Sequence, residues 1–108
     1  FSVDLRAGRA GWRAKPHAGV VDLGRVGHYD PRLFWDEVLP EDGRIILDPG
    51  AFYILMSRES VAVPPGHAAE MAPYLAMAGE FRVHYAGFFD PGFGWGAPAR
   101  GVLEVRAH

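Results

Sequence analysis

The chain contains no cysteine, which excludes disulfides, iron–sulfur clusters, thiolate zinc sites and a cysteine nucleophile. It also lacks any excess of positive charge, since 11 Lys and Arg face 13 Asp and Glu for a formal net charge of −2. Wrapping a nucleic acid polymer calls for clustered Lys and Arg and a basic chain, so a polynucleotide partner is not expected, although a single nucleotide is not excluded. The apolar runs are all broken by Arg, Glu or Gly before they reach the roughly 18 to 20 residues a spanning helix needs, so no membrane partner is expected. The opening FSVDLRAGRAG does not resemble a signal peptide. With the missing cysteines, this gives a cytoplasmic expectation. A chain that opens on Phe1 is expected to be a fragment or a trimmed region.

Several chemical signatures are missing too. No G-x-G-x-x-G, G-x-x-x-x-G-K-[ST] or G-x-S-x-G stretch occurs, so backbone cradles for dinucleotides and phosphates and a nucleophile elbow are all absent. The histidines at 17, 28, 67, 84 and 108 have no H-x-x-x-H or H-E-x-x-H spacing. A zinc nucleobase deaminase needs a P-C-x-x-C segment, and there is no cysteine to supply one. No protein-bound zinc is expected.

What is present is 49% hydrophobic content in 108 residues, enough for one modest core, with 14 Gly and 9 Pro cutting the chain into short runs. Residues 1–108 are therefore expected to form a single unit, incomplete at both ends. Ser2–Arg6 alternates, with Val3 and Leu5 on one face and Ser2, Asp4 and Arg6 on the other, as a half-buried strand does. Further strands are expected at Ala18–Leu23, Arg44–Leu47, Ala51–Ser57, Ser60–Val63, Phe81–Phe89 and Val102–Arg106. Asp48-Pro49-Gly50 and Asp90-Pro91-Gly92 read as turns. Asp30–Val38 is the best helix candidate, with Asp30 as N-cap and Pro31 at the first helical position. His67–Ala78 is read as a helical turn that Pro73 interrupts. Trp12, Trp35 and Trp95 are read as core or interface anchors. Many short strands and little helix predict a mainly β fold, a barrel or sandwich with jelly-roll-like connections.

Two carboxylates have informative settings. Asp90 follows an aromatic strand and precedes Pro91-Gly92, a position that also suits a plain turn aspartate. Glu104 lies between Leu103 and Val105, and a period of two turns it away from both, as it would a solvated strand carboxylate. His84, between Val83 and Tyr85, reads locally as a strand histidine.

Their order carries more than their settings. Ser2-Val3-Asp4-Leu5-Arg6, Val21-Asp22-Leu23, Leu47-Asp48-Pro49-Gly50 and Ser57-Arg58-Glu59-Ser60-Val61 ahead of Pro64 are followed by Val83-His84-Tyr85-Ala86, then Gly87-Phe88-Phe89-Asp90-Pro91-Gly92 and Val102-Leu103-Glu104. This series, spread over nearly the whole chain, resembles the 2′-deoxycytidine 5′-triphosphate (dCTP) deaminases of the dUTPase-like superfamily. FSVDL, FYIL, EMAP and GEFRVHYAGFFDPGFG are similar to the second half of double-length bacterial members, which hold two such units in tandem.

The resemblance implies a dUTPase-like distorted β-barrel with jelly-roll-like connections and one or two short helices. It implies hydrolysis of dCTP to dUTP and ammonia, with Glu104 as proton shuttle for the water that attacks C4. Deamination of this kind requires a proton taken from water and one returned to the ring and the leaving amine. By the same resemblance, the Ala86 carbonyl holds water or the amino group, and Asp90 contacts the deoxyribose. Val102 and Leu103 line the nucleotide site, with His84 and Phe88 beside it. Mg²⁺ is expected to arrive on the triphosphate, as part of the substrate. The partner is a neighbouring dUTPase-like unit, either the tandem half or a subunit of a homotrimer.

One departure matters. The family's Ser-Ser-x-x-Arg segment, which binds triphosphate, should fall between Glu70 and Gly79, but EMAPYLAMAG contains neither Ser nor Arg. A triphosphate without an Arg fork and hydroxyl donors has little to hold it there. The 108 residues alone are therefore expected to be inactive, with the missing groups supplied by a neighbour. A dUTP pyrophosphatase or bifunctional relative, and a noncatalytic assembly unit, stay open as alternatives.

Overall fold

In a computed structural model, residues 1–72, 81–83 and 87–107 are described. Among the described residues seven strands run in the order β1 (Gly11–Ala14), β2 (Trp35–Val38), β3 (Phe52–Val61), β4 (Ala69–Glu70), β5 (Phe81–Val83), β6 (Phe88–Phe89) and β7 (Ala99–Ala107). Five of them form one sheet in the order β2-β1-β3-β7-β5, and β4 pairs with β6 in a second. Every pairing is antiparallel. The mainly β expectation holds, and among the described residues the helical content is a single 3₁₀ turn, Pro31–Leu33. No helix among the described residues is long and apolar enough to cross a membrane.

β3 and β7 make the sheet's spine, and their alternation sorts its two faces. Tyr53, Leu55, Leu103 and Val105 point to one side and form the core, with Val3, Val38, Ile45, Leu47, Ala51 and Met71 packed against it. The other side carries Phe52, Ile54 and Met56 from β3 and Val102, Glu104 and Arg106 from β7, none of them fully buried.

The register between these strands shifts between Met56 and Ser60. Ser57 secures this bulge: its fully buried hydroxyl donates to the Glu59 carbonyl at 2.7 Å and accepts from the Gly101 N–H at 2.8 Å. The Ser57 hydroxyl thus gives the Glu59 carbonyl and the Gly101 N–H partners where the ladder is interrupted.

Several local expectations yield to tertiary structure. Ser2–Arg6 is not a full strand: Val3 makes one isolated bridge to Ser57, and Asp4 N–H donates to Met56 O at 2.9 Å. Asp4, expected on the solvent side, is buried, because its carboxylate accepts from the N–H groups of Arg6 and Ala7 and from Arg100 at 2.7 Å. Turning the chain through Asp4 brings Gly11–Ala14 onto β3 as β1.

The helix expected over Asp30–Val38 stops after one turn. Asp30 caps it through Arg32 N–H as expected, but Trp35–Val38 is pulled into strand pairing with β1. Ala18–Leu23 is an exposed loop, and Arg44–Leu47 contributes only the Glu41–Arg44 bridge. Ser60–Val63 is no separate strand, since β3 continues through Val61. The Asp48 and Asp90 turns do form: Ala51 and Phe93 N–H return to the aspartate carbonyls at 3.2 and 3.0 Å. Gly92 has φ of 85°, which the third position of such a Pro-Gly turn requires. Half of the stretch expected to hold a helical turn, His67–Ala78, lies outside the described residues, and its first part is extended at β4.

The N-terminal segment is tied to the bulge through Ser2, whose hydroxyl and N–H donate to the Glu59 carboxylate at 2.6 and 2.8 Å. The Ser2 hydroxyl first, and then the Ser2 backbone N–H, lower the Glu59 pKa from 4.5 to about 2. Asp4 is lowered as well, chiefly by the Arg6 N–H. A carboxyl whose folded pKa lies below its unfolded value stabilises the fold above the unfolded pKa and loses that contribution as pH falls through the folded one. The melting temperature is therefore expected to fall between about pH 4.5 and pH 2. Glu59→Gln should flatten part of that decline; a pH–melting curve unchanged by the substitution would separate Glu59 from acid sensitivity.

Candidate functional site

Glu104 sits in β7 opposite Ile54 of β3, and β5 pairs with the same strand just beyond it, at Val105, Arg106 and Ala107. The Gly-Val-Leu-Glu-Val alternation fixes which way it points. Leu103 and Val105 are 5% and 0% exposed in the core, which turns Glu104 to the opposite face, where it is half-buried. Its cross-strand partner is Ile54, and the same register places Trp12 of β1 and then Glu37 of β2 in one row. Directly opposed side chains on one face are in contact range, so the carboxylate stands beside an apolar strip ending in an indole. The Arg9 guanidinium covers that indole at 4.3 Å and pairs with Glu37.

Val102 shares the Glu104 face and is 49% exposed, available to a bound molecule. Leu103 is not on that face: its side chain belongs to the core, and only its backbone is left for a ligand. Phe88 is 64% exposed on β6, while its neighbour Phe89 is buried against Phe1 and Phe93, with ring centroids 5.9 and 5.0 Å away. Phe89 also approaches Gly101, so β6 meets the start of β7 through Phe89 rather than through Phe88. Asp90 is exposed, and its carbonyl closes the turn that leads to Phe93. His84 and Ala86 lie outside the described residues, as does most of the stretch between Glu70 and Gly79.

Among the described residues no group of three or more His, Asp or Glu side chains is placed to hold a metal ion. Sequence reasoning missed Trp12, Ile54 and Arg106 as companions of Glu104. Arg106 was readable from the period of two; the others depend on strand register, which local sequence does not set.

A mainly antiparallel β unit with almost no helix among the described residues matches a dUTPase-like β fold. Residues 1–108 match the family model described as 2′-deoxycytidine 5′-triphosphate deaminase, C-terminal domain, and the chain belongs to that family. It is similar to the crystal structure of 2′-deoxycytidine 5′-triphosphate deaminase from Agrobacterium tumefaciens, with 51% identity and a TM-score of 0.86. That match covers 99% of this chain and 34% of the other, so the chain spans about one third of that protein's length. Comparison with curated protein sequences finds no match.

Proposed function

We propose that this domain takes part in hydrolytic deamination of dCTP to dUTP and ammonia, in cytoplasmic pyrimidine deoxynucleotide metabolism. Membership of the family supports the reaction class, and the observation that carries the residue assignment is the setting of Glu104. A carboxylate flanked by Ile54 and Val102 on a firmly held strand is partly withdrawn from water and open to a ligand. In the proposed reaction Glu104 accepts a proton as water oxygen bonds to C4 of the cytosine. It returns a proton as the C4–N bond breaks, and ammonia leaves. No metal is required to activate the water; Mg²⁺ belongs to the triphosphate.

Val102 and the backbone of Leu103 border the base, while Asp90, Phe88, His84 and the Ala86 carbonyl complete the nucleotide contacts. The substrate-holding Ser and Arg come from a neighbouring dUTPase-like unit, in a tandem or threefold arrangement, because EMAPYLAMAG has neither. The same deficit favours a second reading, a noncatalytic unit retained for assembly.

Incubating the full-length polypeptide and the 108-residue chain separately with dCTP and Mg²⁺, while following ammonia and nucleotide products, separates these readings. Ammonia and dUTP are expected from the full-length protein and not from the chain alone. Ammonia from the isolated chain would refute the shared site. Absence of ammonia from both would favour the assembly reading, and diphosphate release from dUTP would indicate a pyrophosphatase or bifunctional activity.

A further inference from the structure

The apolar content of Ala18–Leu23 marks it as a strand to be buried, yet the structure leaves it, with the rest of residues 16–28, in water. Val20, Leu23 and Val26 are between 87% and 93% exposed, and Val21 is exposed beside them. Scattered apolar side chains are ordinary at a surface, but four aliphatics in the short run from Val20 to Val26 concentrate apolar area that water solvates poorly. The segment joins β1 to β2 through residues 15–30, a longer connection than most in a compact domain.

This arm is ordered by its own polar groups. Asp22 N–H donates to the Tyr29 hydroxyl at 2.9 Å, which ties the two ends of the segment together. Between them Arg25 N–H donates to the Asp22 carbonyl at 3.1 Å and His28 N–H to the Arg25 carbonyl at 3.3 Å. Two successive turns result, with Gly27 at φ of 67° in the second. Tyr29 stands edge-on to Phe34, with ring centroids 5.5 Å apart, and so anchors the arm to the start of β2. Charge is answered locally as well: Asp22 lies 3.9 Å from Arg25, and at the base of the arm Asp30 pairs with Arg32 at 2.9 Å. What remains to be presented is a neutral aliphatic surface, and an arm ordered in advance loses little conformational entropy on docking.

The unit as a whole exposes 8039 Å², whereas a self-contained domain of this size exposes about 5,900 Å². Its Cα radius of gyration is 15.4 Å, against about 13 Å for a compact chain of this length. The surplus of roughly 2,000 Å² is comparable to the area, about 1,000 to 2,500 Å², that each partner of an obligate dimer buries. We infer that residues 19–26 form a self-association surface, seated against the same arm of a second copy of the chain about a twofold axis. A twofold interface brings one patch against itself, and a patch without net charge meets its copy without like-charge repulsion. An acidic or basic partner finds the Asp and Arg groups of the arm already paired with each other. In the sheet order β2-β1-β3-β7-β5 the arm joins the two strands farthest from β5. Three strand spacings, about 14 Å, separate β2 from β7. The second copy is therefore additional to the unit that completes the Glu104 site in the proposed function.

The test is sedimentation equilibrium of the full-length polypeptide, without nucleotide and over a range of concentrations. The parent is expected to associate in pairs. Leu23→Asp and Val26→Asp are each expected to weaken that association about a hundredfold, because a twofold axis places every substituted residue in the interface twice. Both side chains are exposed within the unit, so neither substitution disturbs its core. Leu39→Asp is the control: it follows the Val38 end of β2, away from the Trp35 end that adjoins the arm, and should associate like the parent. A parent that stays at the mass of one chain, arm variants that associate like the parent, or a Leu39→Asp protein weakened as much as they are would overturn the proposal. So would arm variants of unchanged mass but lowered melting temperature, which would place the arm against another part of its own polypeptide. The readout needs no turnover, so a full-length protein that releases no ammonia would overturn the dCTP reading and leave the self-association result standing.

Discussion

Glu104→Gln in the full-length protein is expected to abolish ammonia release, with a loss in kcat of about a thousandfold, while nucleotide affinity changes little. The amide nearly reproduces the shape and hydrogen-bonding reach of the carboxylate, and β7 holds both in the same position opposite Ile54. It cannot accept the proton that attacking water must lose. General acid–base groups typically contribute about 10² to 10⁴ in rate, and a single residue serving both proton transfers belongs toward the upper end. The diagnostic feature is the separation of kcat from binding, because a merely structural role would disturb both. Turnover equal to that of the parent would remove Glu104 from the mechanism and return it to an ordinary strand carboxylate.

The direction in which Glu104 points was legible from five residues, because alternation in Gly101–Val105 needs only one buried face to be decided. Its companions were not, since Trp12 and Ile54 reach it through pairings between segments distant in sequence. The Asp-Pro-Gly turns were legible for the same local reason: Pro and Gly prescribe backbone angles wherever they stand. Where a segment's preference was weak, pairing prevailed. Trp35–Val38 follows a well-capped helical start, yet β1 offers it a ladder, and the chain leaves the helix after one turn. Asp4 shows the opposite failure. Its alternation suggested solvent, but burial is tolerated because two backbone N–H groups and Arg100, 96 residues away, converge on its carboxylate. Family resemblance supplied what neither pattern could, the proposed chemistry of Glu104.

Gly11→Ala is expected to destabilise the fold by about 3 kcal/mol and to lower the melting temperature by about 10 °C or more. A Cβ at this position would fall on the Ile54 carbonyl oxygen and come within 2.8 Å of Leu55 Cα. Both obstacles are backbone atoms of β3, which is fixed on its other side by β7 and cannot withdraw as a flexible side chain could. The strain is relieved by lifting β1, which breaks its pairing with β3 and takes β2 with it, since β2 pairs with β1 at the sheet edge. Trp12 would move away from the Glu104 row at the same time, so weaker nucleotide binding should accompany the lost stability. Gly8→Ala is the control, because nothing lies within 4 Å of a Cβ there, and its denaturation midpoint should match the parent's. Should Gly11→Ala unfold at the same denaturant concentration as Gly8→Ala, the close approach of β1 to β3 would be refuted, and the placement of Trp12 beside Glu104 with it.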